Sequence, residues 1–427
     1  MKNKFKTIDL PYGSKLYYVK NRLTKSTMVD LQFLCGARVD TIPGLAHFTE
    51  HMFFTGTKDK DKKQISKQYF DFIGSNAFTN GKEIRFVGNV FTNEFGAYLD
   101  TVAELITKST FSQANVNKEI PVVLQEIAGA KDKNGQWATE FNGYNLFKQD
   151  YLKNRVLGNE ASVSSIKSKD VKQYVNQYFV ANNLRAYVAS PMCVKKIKKL
   201  VEKFANSIPN RPDFKPLPMR CVNVEDDSFY KIKTVDIGKS YLFLNFKFNH
   251  TCFERDFKVK CGVVLGMIND FTEGLQKRMR LEKSLVYGCD VSAGYFEKNS
   301  VATMYTECEK GNINKILQVG ADYFKDKLKN GFTQAELDKY LRNWKYDNAV
   351  KEPRASKYMT NLDTLALYGS VKKKKDIDKI IKKMTVEDCN LVFKEMFACH
   401  KISLSTYGDA STKDVMTKSE FDKLFDF

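Results

Sequence analysis

His47 and His51 stand four residues apart with Glu50 between them, in the stretch Gly44-Leu45-Ala46-His47-Phe48-Thr49-Glu50-His51-Met52-Phe53-Phe54-Thr55-Gly56-Thr57. The 427-residue chain holds only four histidines, so the pairing asks for a chemical reason. Leu45, Phe48, Met52 and Phe53 recur at helical spacing and Pro43 suits a helix start, which predicts a helix over 44–55. On such a helix positions i and i+4 lie one above the other, so two imidazoles can grip one Zn²⁺ and Glu50 can reach a water held beside it. The order His-x-x-Glu-His reverses the more common His-Glu-x-x-His and is the inverzincin arrangement. Standing alone, the motif also reads as a helix-borne pair with no metal, and its context has to decide.

A catalytic zinc takes three protein ligands and leaves a fourth position open. Downstream, Asn117-Lys118-Glu119-Ile120-Pro121-Val122-Val123-Leu124-Gln125-Glu126-Ile127 predicts a second helix with Glu119 and Glu126 on one face. Together the two stretches resemble the pitrilysin/insulinase superfamily of zinc peptidases, in particular its half-length, processing-peptidase-like branch. The resemblance implies Glu126 as the third ligand beside His47 and His51, with Glu119 as a supporting carboxylate that orients a ligand or water. Without it, Glu119 reads as a solvated helix residue.

The elements that must position these groups follow from patterning. Leu16 to Val19 and Met28 to Cys35 predict strands leading into the motif helix, and Lys62 to Gly74 predicts another helix. Asn76 to Asn80 and Glu83 to Phe91 predict two strands around a turn at Asn80-Gly81. Asn76-Ala77-Phe78-Thr79 is similar to a family segment, which implies that this strand edge binds the substrate backbone by strand addition. As sequence it is a short strand. Helical periodicity then runs from Asn93 to Phe179, broken near Lys133 to Gln136, and Leu184 to Val188 predicts a strand.

Pro209, Pro212, Pro216 and Pro218 fall in a polar stretch that predicts a linker. Beyond it the pattern starts again, with Tyr241 to Phe248 alternating as a strand. Asp170, Phe179, Leu184 and Tyr187 are matched in order by Asp388, Phe397, Leu404 and Tyr407, with nine residues from Asp to Phe in both sets. This predicts an internal repeat of roughly 200 residues. The expected organisation is α+β: domain 1–208 with the zinc motif, linker 209–226, and domain 227–427 without it, each a mostly antiparallel sheet packed with helices. His250 and His400 stand alone and read as ordinary residues. Arg280-Leu281-Glu282-Lys283-Ser284-Leu285-Val286-Tyr287 resembles a family segment whose Arg and Tyr approach the substrate from the half without zinc, which implies that role for Arg280 and Tyr287. Without the family they read as a solvated helix residue and a strand-facing aromatic.

Composition narrows the classes. A net charge of +19 raises nucleic-acid binding. Yet the lysines are scattered, and the one tight run, Lys372 to Lys375, lacks interleaved aromatics, so a solvated lysine-rich surface is the better reading. No 18-residue apolar run predicts a membrane span. The start, Met1-Lys2-Asn3-Lys4-Phe5-Lys6-Thr7, has no apolar signal region, and nine cysteines without a Cys-x-x-Cys pair suit reduced thiols, so a cytoplasmic location is expected. The expectation for function is a Zn²⁺-dependent endopeptidase acting on peptides or unfolded segments, as a homodimer or with a related chain. The competing expectation is a non-proteolytic assembly subunit of the same fold, against which the intact His47, Glu50, His51 and Glu126 set argues.

Overall fold

The computed structural model describes residues 5–131, 134–147, 155–216, 224, 227–350, 356–398 and 401–427. Two compact units form, one from Met1–Asp132, Gln149–Met219 and Pro353–Val371, the other from Lys133–Lys148, Arg220–Glu352 and Lys372–Phe427. Each unit thus takes one helical segment from the opposite half of the sequence. The expected linker 209–226 and His400 lie partly or wholly outside the described residues.

The first unit is built on six strands: β1 (Lys6–Asp9), β2 (Lys15–Lys20), β3 (Ser26–Phe33), β4 (Asn76–Thr79), β5 (Ile84–Phe91) and β6 (Leu184–Ser190), in the order β1-β2-β6-β3-β5-β4. Only β2 and β6 run parallel. The second unit has β7 (Tyr230–Thr234), β8 (Ser240–Phe248), β9 (Cys289–Tyr295), β10 (Ser300–Cys308) and β11 (Ile402–Gly408), in the order β7-β11-β8-β10-β9. Again one pair, β7 with β11, is parallel. Strand for strand, β2-β6-β3-β5-β4 repeats as β7-β11-β8-β10-β9, and the predicted internal repeat is present. β1 and β7, which sequence patterning does not mark, are short edge strands with mostly exposed or half-buried residues, so no buried face writes an alternation into them.

Side-chain alternation gives each sheet two covered faces. In the first unit Leu16 and Tyr18 on β2 join a helix-covered core with Phe33, Phe53, Phe86 and Phe179, while Tyr17 and Val19 face the other way. Phe53 meets Phe86 of β5 with ring centroids 5.5 Å apart, pinning the motif helix to the sheet. The opposite face packs Tyr17, Val19 and Tyr187 against Leu362 and Leu365 of helix Ser356–Tyr368. The second unit repeats this plan. Leu242, Leu244 and Phe246 face its main core, whereas Tyr241 and Phe243 pack against Ala138 of helix Asn134–Leu146, and Tyr407 meets Phe141. Tyr187 and Tyr407, matched in the sequence, therefore each lie under a helix supplied by the other half of the sequence.

Polar groups fix both of these helices in register. In the second unit Asn142 exchanges hydrogen bonds with Asn245 on β8 and accepts one from Ser405 on β11, and Thr303 on β10 donates to Asn245. In the first unit Asp30 on β3 accepts hydrogen bonds from Arg85 and Gln32, with Asp363 of the covering helix beside them. Asp30 and Asn245 occupy the middle of equivalent central strands.

Candidate metal centre

The motif helix, α1, spans Leu45–Phe53. Leu45, Ala46, Phe48, Thr49, Met52 and Phe53 are buried, leaving His47, Glu50 and His51 on the remaining face, as the 3.6-residue period requires. Its entry is tightly specified. Gly44 adopts φ 91°, and a Cβ there would stand 2.8 Å from the Leu157 carbonyl oxygen, so only glycine fits on both counts. Asp40 accepts the Gly44 and Ala46 N–H groups at 3.0 and 2.9 Å, capping donors that no helical carbonyl can reach. Asp40 has no signature in the sequence, because it lies outside the usual cap position.

Next in the chain, α2 spans Lys62–Phe70 and begins with a capping box, in which Asp61 accepts the Gln64 N–H at 2.8 Å. That start puts Lys62 in the first turn. The fourth helix of the first unit, Gln113–Lys131, carries Glu119 and Glu126 two turns apart. It tolerates Pro121 near its middle at the loss of one helical hydrogen bond.

The structure brings His47, His51 and Glu126 together. Nε2 of His47 and Nε2 of His51 stand 3.6 and 3.5 Å from Oε2 of Glu126, and the imidazole centroids are 4.7 Å apart at 65°. Three donors each about 2.0–2.2 Å from a tetrahedral zinc stand roughly 3.4 Å from one another, so the carboxylate-to-imidazole spacings fit such an ion. Among the described residues this is the only trio of His, Cys, Asp or Glu side chains that closes in this way. Glu126 is 43% exposed, so the trio is reached from solvent on its side.

The two imidazoles of the trio shift in opposite directions. Burial drives His47 down to about 3, so its imidazole is neutral, the form that can coordinate a metal. Burial would lower His51 too, but the Glu119 hydrogen bond and the Glu126 and Glu50 carboxylates outweigh it and raise the ring. Nδ1 of His51 meets Oε1 of Glu119 at 3.1 Å, which fixes the tautomer that points Nε2 at Glu126. Glu119 is itself held low, its burial outweighed by hydrogen bonds from His51 and Lys62. Glu50 is raised by burial, opposed by a hydrogen bond from Thr79 and by His51. Its Oε2 lies 2.5 Å from the Thr79 hydroxyl.

Of the segment expected to bind substrate, Ala77 and Thr79 face the α1 side of the sheet and Asn76 and Phe78 the other, and β4 pairs on one side only. Arg280 and Tyr287 belong to the second unit and form a pair of their own, the guanidinium 4.4 Å from the Tyr287 ring centroid and 5.2 Å from that of Phe271. Arg280 sits in a π-helical turn, Lys277–Glu282, and Tyr287 precedes β9 and is 85% exposed rather than packed on a strand. Ser284 between them takes φ 53°, a left-handed conformation that is uncommon outside glycine. Lys62 and Asp40 are the contributors that sequence reasoning missed.

Two family models match the chain in succession. Residues 16–160 match the insulinase peptidase family M16, and residues 165–343 match the peptidase M16 inactive domain. The chain belongs to family M16. A Bacillus subtilis protein named an uncharacterized zinc protease is 24% identical over 90% of this chain and 94% of its own length. A probable β subunit of the mitochondrial-processing peptidase of Arabidopsis thaliana is 25% identical over 46% of this chain and 38% of its own. Among solved structures, a Pseudomonas fluorescens peptidase M16 inactive domain superposes with a TM-score of 0.80 at 17% identity, covering 96% of this chain and 98% of that one. The Escherichia coli periplasmic protease PqqL superposes with a TM-score of 0.79 at 16% identity, over all of this chain and 50% of its own. The M16 chain described here thus carries a metal-type donor set in its first unit and none of that kind among the described residues of its second.

Proposed function

We propose that this chain is a zinc endopeptidase that hydrolyses peptides or unfolded protein segments laid along β4. The observation that carries the reading is the convergence of His47, His51 and Glu126 at zinc-like spacings with Glu50 on the adjoining helical turn. Zinc, when held by those three side chains, supplies a Lewis acid that polarises the scissile carbonyl and makes water acidic. Glu50 takes the proton from the attacking water and later delivers it to the leaving amine. Its largely buried carboxyl, raised above the ordinary range, suits a group that must both accept and release a proton. Glu119 acts one step removed, holding His51. β4 offers an unpaired edge for an extended peptide, which would add as a further strand.

The pairing partner is proposed to be a second copy or a related chain. A relative named a subunit, and a superposing chain of twice the length, both support a two-part assembly. In it Arg280 and Tyr287 would aim a guanidinium and a phenol at the oxyanion from the unit without the donor trio. A reducing compartment is proposed from the cysteine pattern of the sequence, nine cysteines with no Cys-x-x-Cys pair. No helix among the described residues is long and apolar enough to cross a membrane. The deciding experiment compares the wild type with Glu50→Gln on an unstructured peptide. Hydrolysis should vanish in the variant while its zinc content stays at that of the wild type, and activity that survives either chelation or Glu50→Gln refutes the reading.

A further inference from the structure

The edge strand and the base share a residue. β4 pairs with β5 alone, and the turn that joins them is closed by Asn80 N–H donating to the Glu83 carbonyl at 3.0 Å. Backbone groups in an antiparallel pair alternate inward and outward, so counting back from Asn80 turns those of Phe78 and Asn76 toward β5 and those of Ala77 and Thr79 toward the free edge. Ala77 N–H bears this out, since its partner is the Asn76 side chain at 2.9 Å and not the ladder. Residue Thr79 therefore presents its backbone to the open edge and its hydroxyl, at 2.5 Å, to Oε2 of Glu50. No other described residue hydrogen-bonds that carboxylate.

We propose that Thr79 is the positioning residue for the base, fixing Glu50 against the peptide backbone that docks on the same strand. This rests on the reading of Glu50 as base and of β4 as docking edge. Threonine suits the task because its β-branched side chain has few rotamers on a strand, so a hydroxyl there has a set direction. A hydroxyl has one proton to donate, and giving it to Oε2 leaves Oε1 for the attacking water. An added strand held by the outward groups of Thr79 and the Ala77 carbonyl then has its scissile bond registered to Glu50 through one residue, with no loop between.

Thr79→Val keeps shape and strand preference and removes only the hydroxyl, while Thr79→Ser keeps the hydroxyl and removes the methyl. On an unstructured peptide, Thr79→Val should lower kcat roughly 10- to 100-fold, the loss of a hydrogen bond to a charged group, with KM within about twofold. Thr79→Ser should recover most of kcat, and zinc affinity by chelator competition should be unchanged in both. A kcat within twofold of wild type in Thr79→Val overturns the proposal, as does a rise in KM alone, which would leave Thr79 a docking residue only. Equal loss in Thr79→Ser and Thr79→Val also overturns it, because the hydroxyl would then not be what matters. Should Thr79→Val fail to fold, Thr79→Ala takes its place in the same comparison with Thr79→Ser. Failure of the underlying reading looks different: a wild type without hydrolysis, or one that Glu50→Gln leaves active.

Discussion

Nζ of Lys62 lies 2.7 Å from Oε2 of Glu119, whose other oxygen meets Nδ1 of His51. A carboxylate only 4% exposed is costly to keep charged without a partner, and Lys62 supplies one from the first turn of α2. Lys62→Met should therefore loosen Glu119 and, through it, the ring of His51. The expected result is zinc binding weaker by roughly tenfold, at the low end of what outer-shell partners contribute, measured against a chromophoric chelator. An unchanged zinc affinity would leave Lys62 a surface lysine that happens to touch Glu119.

Glu126 and Glu50 should separate by metal content. Glu126→Gln removes a donor and should leave the purified protein depleted in zinc, whereas Glu50→Gln should retain about one ion per chain. Elemental analysis of the two variants side by side decides this, and equal zinc in both would mean that Glu126 is not a ligand.

The Asn142 network predicts a stability loss. Asn142→Ala would strand the buried amide of Asn245 and the hydroxyl of Ser405 under helix Asn134–Leu146, at about 2–3 kcal/mol. Asn142→Ala paired with Asn245→Val and Ser405→Ala should cost less than the three separate losses summed, because the abandoned partners go too. Urea transitions followed by circular dichroism would test both statements, and an unaltered midpoint in Asn142→Ala would refute them.

A pH dependence follows from Asp363. Burial, with Asp30 and Glu83 close by, pushes its carboxyl up to about 6, against the pull of Arg85 and Gln32. Between its ordinary pKa of 3.8 and about 6 the folded protein keeps a proton that the unfolded chain has lost. Stability from this group is therefore complete below about pH 4 and is lost as pH rises through 6, by at most about 3 kcal/mol. Asp363→Asn should flatten that part of the stability profile between pH 4 and 7. A profile that keeps its slope in the variant would assign the slope to another group.

Arg280 and Tyr287 bear on assembly. If the partner is a second copy and these residues serve its site, Tyr287→Phe and Glu50→Gln variants should each be nearly inactive and regain activity when their subunits exchange. One site in a mixed pair then has every group intact. Exchange verified by mass spectrometry with no regained hydrolysis would rule out that arrangement.

Much of this was legible in the residues themselves. His47, Glu50 and His51 announce their helix through Leu45, Phe48 and Met52, and the repeat shows in the matched Asp170 and Asp388, Tyr187 and Tyr407. The contributions of Lys62 and Thr79 were not legible, because each acts across elements: Lys62 meets a helix 57 positions on, and Thr79 a residue 29 positions back. No periodicity encodes such pairings. Helix Ser356–Tyr368 looks like any amphipathic helix of the second half, and nothing local tells it to cover Tyr17 and Tyr187. Sequence spacing marks what a residue can do within its own element, while the sheet decides which distant element it meets.

Two borrowed helices also set how this gene could be divided. Cutting the polypeptide in the proline-rich stretch would hand each fragment a sheet with one bare side: Tyr17, Val19 and Tyr187 on the first, Tyr241 and Phe243 on the second. Those naked aromatics would invite aggregation when either piece is made alone. Produced together, each fragment carries the missing lid of the other, so co-expression should rescue what separate expression ruins.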